Sequence, residues 1–215
     1  MVMKKIILAS GSPRRHELLE LLQIPHEVIP CKNDEEKKLH KELLEQPANN
    51  RGTFQQELLE VSFEKVQCVL KSLPREKQQG AIIIGADTVV VCDGKTIGKP
   101  RTKEEAIQML QQILGKEHLV FTGLSVLDVD SNRLLTAIEK TVVRMVNLPE
   151  EKIRAYVEAE HILDKAGAYA IQGIGSALIP HIEGCYYNVM GLPVSRLVKM
   201  LEELGYDFLA HAKKS

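Results

Sequence analysis

Residues 81–100 read AIIIGADTVVVCDGKTIGKP, and the rest of the chain is organised around them. Ile82, Ile83 and Ile84 form a short β-branched run of the kind that suits a strand covered on both faces. Val89, Val90 and Val91 follow almost at once, and between the two runs stands Asp87. An ionised carboxylate with apolar chain on both sides costs several kcal/mol, in order of magnitude, unless it is paired, hydrogen-bonded or metal-bound. Taken alone, these residues allow two readings. Asp87 ties down a bulge or turn with the help of Gly85, or it is a catalytic or metal-binding acid at a strand bend. Beyond it, Asp93-Gly94 marks a hairpin turn, and Gly98-Lys99-Pro100 sets a lysine against the backbone beside a chain reversal.

The chain has 215 residues, enough to bury a sizeable core as one domain with two lobes. Charged residues make up 27% and apolar residues 44%, an ordinary soluble composition. Lys+Arg is 28 against 29 for Asp+Glu, a net charge of −1. That balance argues against general binding to nucleic acid and leaves room for a local basic pocket. No stretch approaches the roughly 20 apolar residues of a membrane helix. The apolar run near the N-terminus is far shorter than the roughly 7–15 residues of a signal peptide, so the expected location is the cytoplasm, away from membranes. Cys31, Cys68, Cys92 and Cys185 show no CxxC spacing and read as reduced thiols, not as disulfides or zinc ligands.

Upstream, Lys4–Ala9 predicts a strand, and SGSPRRHELLELL predicts a turn and a helix. Ser12 is placed as its N-cap, Pro13 suits its first position, and Leu18, Leu19, Leu21 and Leu22 face inward. Arg14 and Arg15 stand at the positive end of this helix, where cations are unfavourable. A phosphate chain bound at the helix start would compensate. His26–Pro30 predicts a second strand. Asp34, Glu35 and Glu36 then open the helix DEEKKLHKELLEQ, where acids are favoured. Gln46–Gly52 reads as a loop, and Thr53 with Gln56 as a capping box for a helix running to about Leu73. Its expected apolar stripe is Leu59, Phe63, Val66, Leu70 and Leu73, with Lys65 beside it on a line with Val61 and Val69.

Downstream, Thr102 and Glu105 cap a helix over Lys103–Leu114 that Gly115 closes. His118–Val129 and Arg133–Val146 predict a long antiparallel pair, a hairpin on which a homodimer could form. Pro149–Glu160 and Pro193–Leu204 predict helices. Between them lies a glycine-rich segment of short strands and tight turns that carries Gln172. Gly94–Lys99 is one residue short of a P-loop, and Gly173-Ile174-Gly175 lacks the rest of a dinucleotide fingerprint. An anion-binding turn, an acidic cluster, two lysines and a buried Asp together suggest phosphate-chain chemistry with a divalent metal.

In order along the chain, LASGSPRRHELL, NDE, EKV, IIGADTVV, GKP, DKAGAYAIQG and NVMGLP resemble the Maf family of nucleoside triphosphate pyrophosphatases, from about Ile6 to Phe208. The resemblance implies an α/β fold of the Maf/inosine-triphosphatase-like kind, a long mixed β-sheet bent around a cleft between two lobes. It implies hydrolysis of a nucleotide to its monophosphate and pyrophosphate with a divalent cation, Mg²⁺ or Mn²⁺. By motif, the general base falls on Asp87. The phosphate-binding residues fall on Ser10, Arg14, Arg15, Lys65 and Lys99, and the acidic metal-site residue on Glu35, with Asp87 beside it. Within the family the chain resembles the branch acting on dTTP and UTP, at Arg14, Thr88 and Gln172. It departs from the family at two places: Glu160-His161 stands where a Gly-Glu pair is usual, and residues 37–56 are longer, with no YV before their helix.

The chemistry is consistent with that resemblance. Attack of water on an α-phosphorus needs cations on the oxygens, a carboxylate for the water's proton, and a metal that bridges phosphates. A second class of function, a nucleotide-binding regulator with little turnover, shares most of these residues. The motifs do not separate the two: Asp87 favours the enzyme, since a pure binder gains nothing from a carboxylate beside phosphates, and the Glu160-His161 departure slightly favours the regulator.

Overall fold

The computed structural model describes residues 4–45, 48 and 51–211. Its strands are β1 (Lys5–Leu8), β2 (His26–Val28), β3 (Ala81–Cys92), β4 (Lys95–Ile97), β5 (Glu117–Asp128), β6 (Arg133–Arg144) and β7 (His181–Glu183). Among the described residues they form one mixed sheet in the order β2-β1-β3-β5-β6-β7, with β4 joined to β3. The helices are α1 (Pro13–Leu21), α2 (Asp34–Glu45), α3 (Arg51–Ser72), α4 (Arg75–Gln78), α5 (Lys103–Ile113), α6 (Glu150–Ala159), α7 (Tyr186–Met190), α8 (Val194–Glu203) and α9 (Phe208–His211). The chain is thus α/β with a mixed, open sheet.

β3 is the centre of this sheet, and its alternation explains why its apolar runs are continuous. Ile82, Ile84 and Ala86 face one way, into a core with Leu18 and Leu19 of α1 and Leu197 and Leu201 of α8. Ala81 and Ile83 face the other way and meet Val66 and Val69 of α3. Val89 and Val91 pack on that same side against Leu58 and Val61.

The strand does not break at Asp87. Its antiparallel register with β5 is uninterrupted from Ile82 opposite Asp128 to Val91 opposite Leu119. The expected bulge or bend is therefore absent, and Gly85 has a different task. A Cβ on it would collide with the Ser62 carbonyl of α3. A Cβ on Gly123, in the neighbouring strand, would stand 2.7 Å from the Leu58 carbonyl. The two glycines let α3 lie directly on the sheet, and Ser62 completes the contact with a 2.7 Å hydrogen bond to Ser125.

The other edge of β3 is shared. β1 pairs in parallel with Ala81–Ile84, and β4 pairs with Val90–Cys92. Among the described residues no strand pairs with that edge over residues 85–89. The sheet has a gap there, and the gap is where the polar residues of the chain converge.

Several local expectations shift. α3 starts at Arg51, so Thr53 and Gln56 lie inside the helix and do not cap it. The expected loop over Gln46–Gly52 falls largely outside the described residues. The buried apolar stripe of α3 is Phe54, Leu58, Val61, Val66 and Val69, continued by Leu73 just past its end, and it is rotated from the one expected. The line Val61–Lys65–Val69 therefore looks at the sheet. In α1, Leu18 and Leu19 are buried while Leu21 is 60% exposed. Thr102 does cap α5, accepting from the Glu105 N–H at 3.2 Å. The short elements α4 and β7 carry no signal of their own in the sequence.

Cys31 and Cys68 are joined in a disulfide, with Cα atoms 5.7 Å apart across 37 residues of sequence. This corrects the expectation of four reduced thiols. A pair so distant in sequence has no spacing signature, and only the loop after β2 lying over α3 brings it within bonding geometry. Cys92 and Cys185 remain free. Among the described residues no helix is long and apolar enough to cross a membrane.

Candidate active site

Asp87 lies on the α3 face of β3 and is 4% exposed. Helix α3 rests on Gly85, so Lys65, one turn beyond Ser62, arrives directly over the gap. Its Nζ donates to Asp87 Oδ1 at 2.5 Å and to the Ala86 carbonyl at 3.2 Å. The same ammonium stands 3.2 Å from Glu36 Oε1. The second oxygen of Asp87, Oδ2, accepts from His40 Nδ1 at 3.0 Å. Burial works against ionisation of Asp87. The Lys65 charge and the hydrogen bonds from His40 and Lys65 outweigh it, and they hold the carboxyl well below the ordinary carboxylate range.

Thr88, next in the strand, points to the opposite face, as alternation requires. Its hydroxyl meets Thr122 Oγ1 at 2.9 Å and accepts from Arg15 Nη2 at 3.0 Å. Arg15 is buried, and each of its three nitrogens has one partner. Nε donates to the Gly191 carbonyl at 2.8 Å and Nη1 to Ser10 Oγ at 3.0 Å. Burial draws down the proton affinity of the guanidinium, and Asp87 is the main charge opposing that effect. Ser10 Oγ also accepts from the Ser12 N–H at 3.2 Å, so the turn before α1 is closed by Ser10 and not by a Ser12 cap. Arg14 reaches the other side of the cleft, where Nη2 meets the Asp164 carbonyl at 3.2 Å and its carboxylate at 3.3 Å. The cations at the positive end of α1 are thus compensated within the protein itself.

Lys99 follows β4. Gly98 holds that turn close, donor to acceptor, with its carbonyl receiving the Gly167 N–H at 2.9 Å. Lys99 is exposed on one side of the cavity. Its ammonium is nevertheless pushed below the ordinary lysine range, first by partial burial and then by Arg15. Gln172 also lines the cavity, exposed, and among the described residues its amide makes no hydrogen bond. Arg14, Arg15, Lys65, Asp87, Thr88, Lys99 and Gln172 therefore share one cavity. Ser10 lies in the adjoining recess with Glu36.

Glu35 does not join them. It is exposed on α2 and lies outside both recesses, whereas Glu36 faces Lys65. Helix α2 brings Glu36, His40 and Leu44 to the site from positions i, i+4 and i+8, one line on its surface. The sequence signal for His40 was this spacing, obscured by the acidic first turn. Where the family has Gly-Glu, the Glu160 carboxylate stands 4.0 Å from Lys165 Nζ, outside the cavity lining.

A divalent ion is implied by the resemblance, and the donor chemistry bears on it. Among the described residues no three His, Cys, Asp or Glu side chains form a ready metal site. Glu36 and Asp87 are hard oxygen donors that flank one ammonium. Two carboxylates completed by phosphate oxygens are a usual set for Mg²⁺, so the residues fit an ion that arrives with an anionic substrate.

A family model described as Maf-like protein matches residues 5–204. The chain is 40% identical over 202 residues to a dTTP/UTP pyrophosphatase of Ruminiclostridium cellulolyticum, covering 94% of this chain and 97% of that protein. It is 41% identical over 207 residues to one of Caldicellulosiruptor bescii, covering 96% and 98%. It is 40% identical over 210 residues to one of Bacillus anthracis, covering 98% and 100%. The chain belongs to the Maf family.

Proposed function

We propose that the protein is a nucleoside triphosphate pyrophosphatase. It hydrolyses dTTP and UTP, and modified pyrimidine nucleotides with the same base edge, to the monophosphate and pyrophosphate. The observation that carries this reading is a buried, ionised Asp87 at a gap in the sheet, ringed by Lys65, Arg15 and Lys99. The names of the relatives support it.

The phosphate chain lies along the cations, with Lys65, Lys99, Arg14 and Arg15 facing its oxygens. An anion drawing Lys65 away from Asp87 removes the charge that holds this carboxyl low, and Asp87 regains basicity when substrate is bound. Asp87 then takes a proton from water as its oxygen bonds to the α-phosphorus. The bridging bond to the β-phosphate breaks and pyrophosphate leaves. Mg²⁺ or Mn²⁺ bound at Asp87 and Glu36 would polarise the phosphate oxygens and acidify the water. Glu36 takes this place because Glu35 faces solvent. The free amide of Gln172 offers a donor and an acceptor to the base edge.

Pyrophosphate release from dTTP, UTP, CTP, GTP and 7-methyl-GTP with Mg²⁺ or Mn²⁺ tests this reading, using the wild type and Asp87→Asn. Turnover is expected with dTTP and UTP. Asp87→Asn should lose about 10²–10⁴-fold in kcat while still binding nucleotide. Binding without turnover in the wild type would favour a nucleotide-binding regulator instead.

A further inference from the structure

Lys65 is accounted for by the phosphate chain, but His40 is not. It stands in the stretch 37–56 that departs from the family pattern, yet its Nδ1 lies 3.0 Å from Asp87 Oδ2. Asp87 is ionised and can only accept, so Nδ1 must carry the proton. The ring is placed by a helix fixed at both ends. At the start, Asn33 Oδ1 accepts from the Glu36 N–H at 3.0 Å while Asn33 Nδ2 donates to Glu64 of α3 at 2.7 Å. Near the end, Leu43 is buried and the Leu44 carbonyl accepts from Thr96 Oγ1 at 2.5 Å.

We propose that His40 is a positioning residue for the reaction. It holds the Asp87 carboxylate in the orientation needed for the attacking water once Lys65 has turned to the phosphate chain. Two donors fix the two oxygens of Asp87 in the free protein, one each. Substrate competes for only one of them, the ammonium. The imidazole, held by a helix packed at both ends, stays. Its effect therefore falls on the chemical step and not on binding. The inference rests on Asp87 acting as the base.

The test is steady-state pyrophosphate release from dTTP by His40→Leu, His40→Asn, His40→Gln, Asp87→Asn and the double variant Asp87→Asn/His40→Leu. His40→Leu should lower kcat by about 10–10²-fold with KM little changed, as small misplacements of a reacting group do. Asn can present its amide nitrogen near the Nδ1 position and should restore most of the rate. Gln carries that nitrogen one carbon farther and should not. In the Asp87→Asn background His40→Leu should cost nothing more, because its effect passes through Asp87. Wild-type kcat in His40→Leu, a loss carried by KM, equal rates for Asn and Gln, or an additive loss in the double variant would each overturn the proposal. The Asn and Gln pair decides it even if His40→Leu does not fold. An Asp87→Asn enzyme as fast as the wild type would overturn the reading of Asp87 and this one with it. An inactive Asp87→Asn beside a fully active His40→Leu would overturn this one alone.

Discussion

Ser62 of α3 and Gly85 of β3 are in direct backbone contact, and no side chain fits between them. This contact sets the height of α3 over the sheet and so the reach of Lys65 to Asp87. Gly85→Ala should cost about 1–3 kcal/mol, as overpacking does. It should also lower kcat by moving Lys65, and with it the ammonium that meets the phosphate chain, out of place. Chemical denaturation and pyrophosphate release on the same preparation check both. Unchanged stability would mean that α3 has room the structure does not show.

Arg15 and Arg14 are adjacent yet should behave differently. Arg15→Ala removes three hydrogen bonds of a buried side chain, to the Gly191 carbonyl, Ser10 and Thr88, and should destabilise the free protein by about 1–3 kcal/mol. Arg14 bonds a partly exposed Asp164, and Arg14→Ala should fall within about 1 kcal/mol of the wild type. From the sequence alone, both would be neutral or stabilising, since each is a cation at a helix start. Urea unfolding of the two variants separates these outcomes.

His118 is buried against the Tyr169 hydroxyl at 2.7 Å, and burial pushes its imidazole down to about 4. The unfolded chain protonates this side chain near 6.5 and the folded protein only near 4, so the unfolded state binds more protons between those values. Its contribution, about 3 kcal/mol, is present above pH 6.5 and lost as pH falls toward 4. His118→Gln should flatten the pH dependence of unfolding in that window. An unchanged slope would count against the assignment.

The Cys31–Cys68 bond closes a loop of 37 residues that contains all of α2. Reduction, or Cys68→Ser, should cost about 2–4 kcal/mol of stability. Thermal unfolding with and without reductant measures this, and Cys68→Ser should be indifferent to reductant.

Gln172→Ala should erode the preference for dTTP and UTP more than it lowers the best rate, since a site that pairs a base edge rejects bases lacking it. The ratios of kcat/KM across the nucleotide panel report this. An unchanged ranking would remove Gln172 from base recognition.

The long strands were legible because β3 and β5 carry runs too apolar for any exposed element, and the β5–β6 turn at Asp130-Ser131-Asn132 is marked by its residues. Asp87 was legible as an anomaly, a charge inside such a run. What escaped depended on helix phase and long-range approach. The stripe of α3 rotated because Ser62, small and polar, faces the sheet where a large apolar residue was expected. Glu36 and His40 escaped because the first turn of α2 is acidic for local reasons, which hides which acid looks inward. The partners of Arg15 come from residues 10, 88 and 191, and no local pattern joins them.

The gap in the sheet over residues 85–89 has a further consequence for solubility. An unpaired strand edge is a template for another chain, and proteins ordinarily blunt such edges with charge or cover. Here the unpaired length is only five residues, bounded on one side by β1 and on the other by β4. Its Ala86 carbonyl is already taken by a lysine. A foreign strand would have to displace that ammonium and fit between two existing strands. The sheet can thus leave its edge open for chemistry without offering a seed for aggregation.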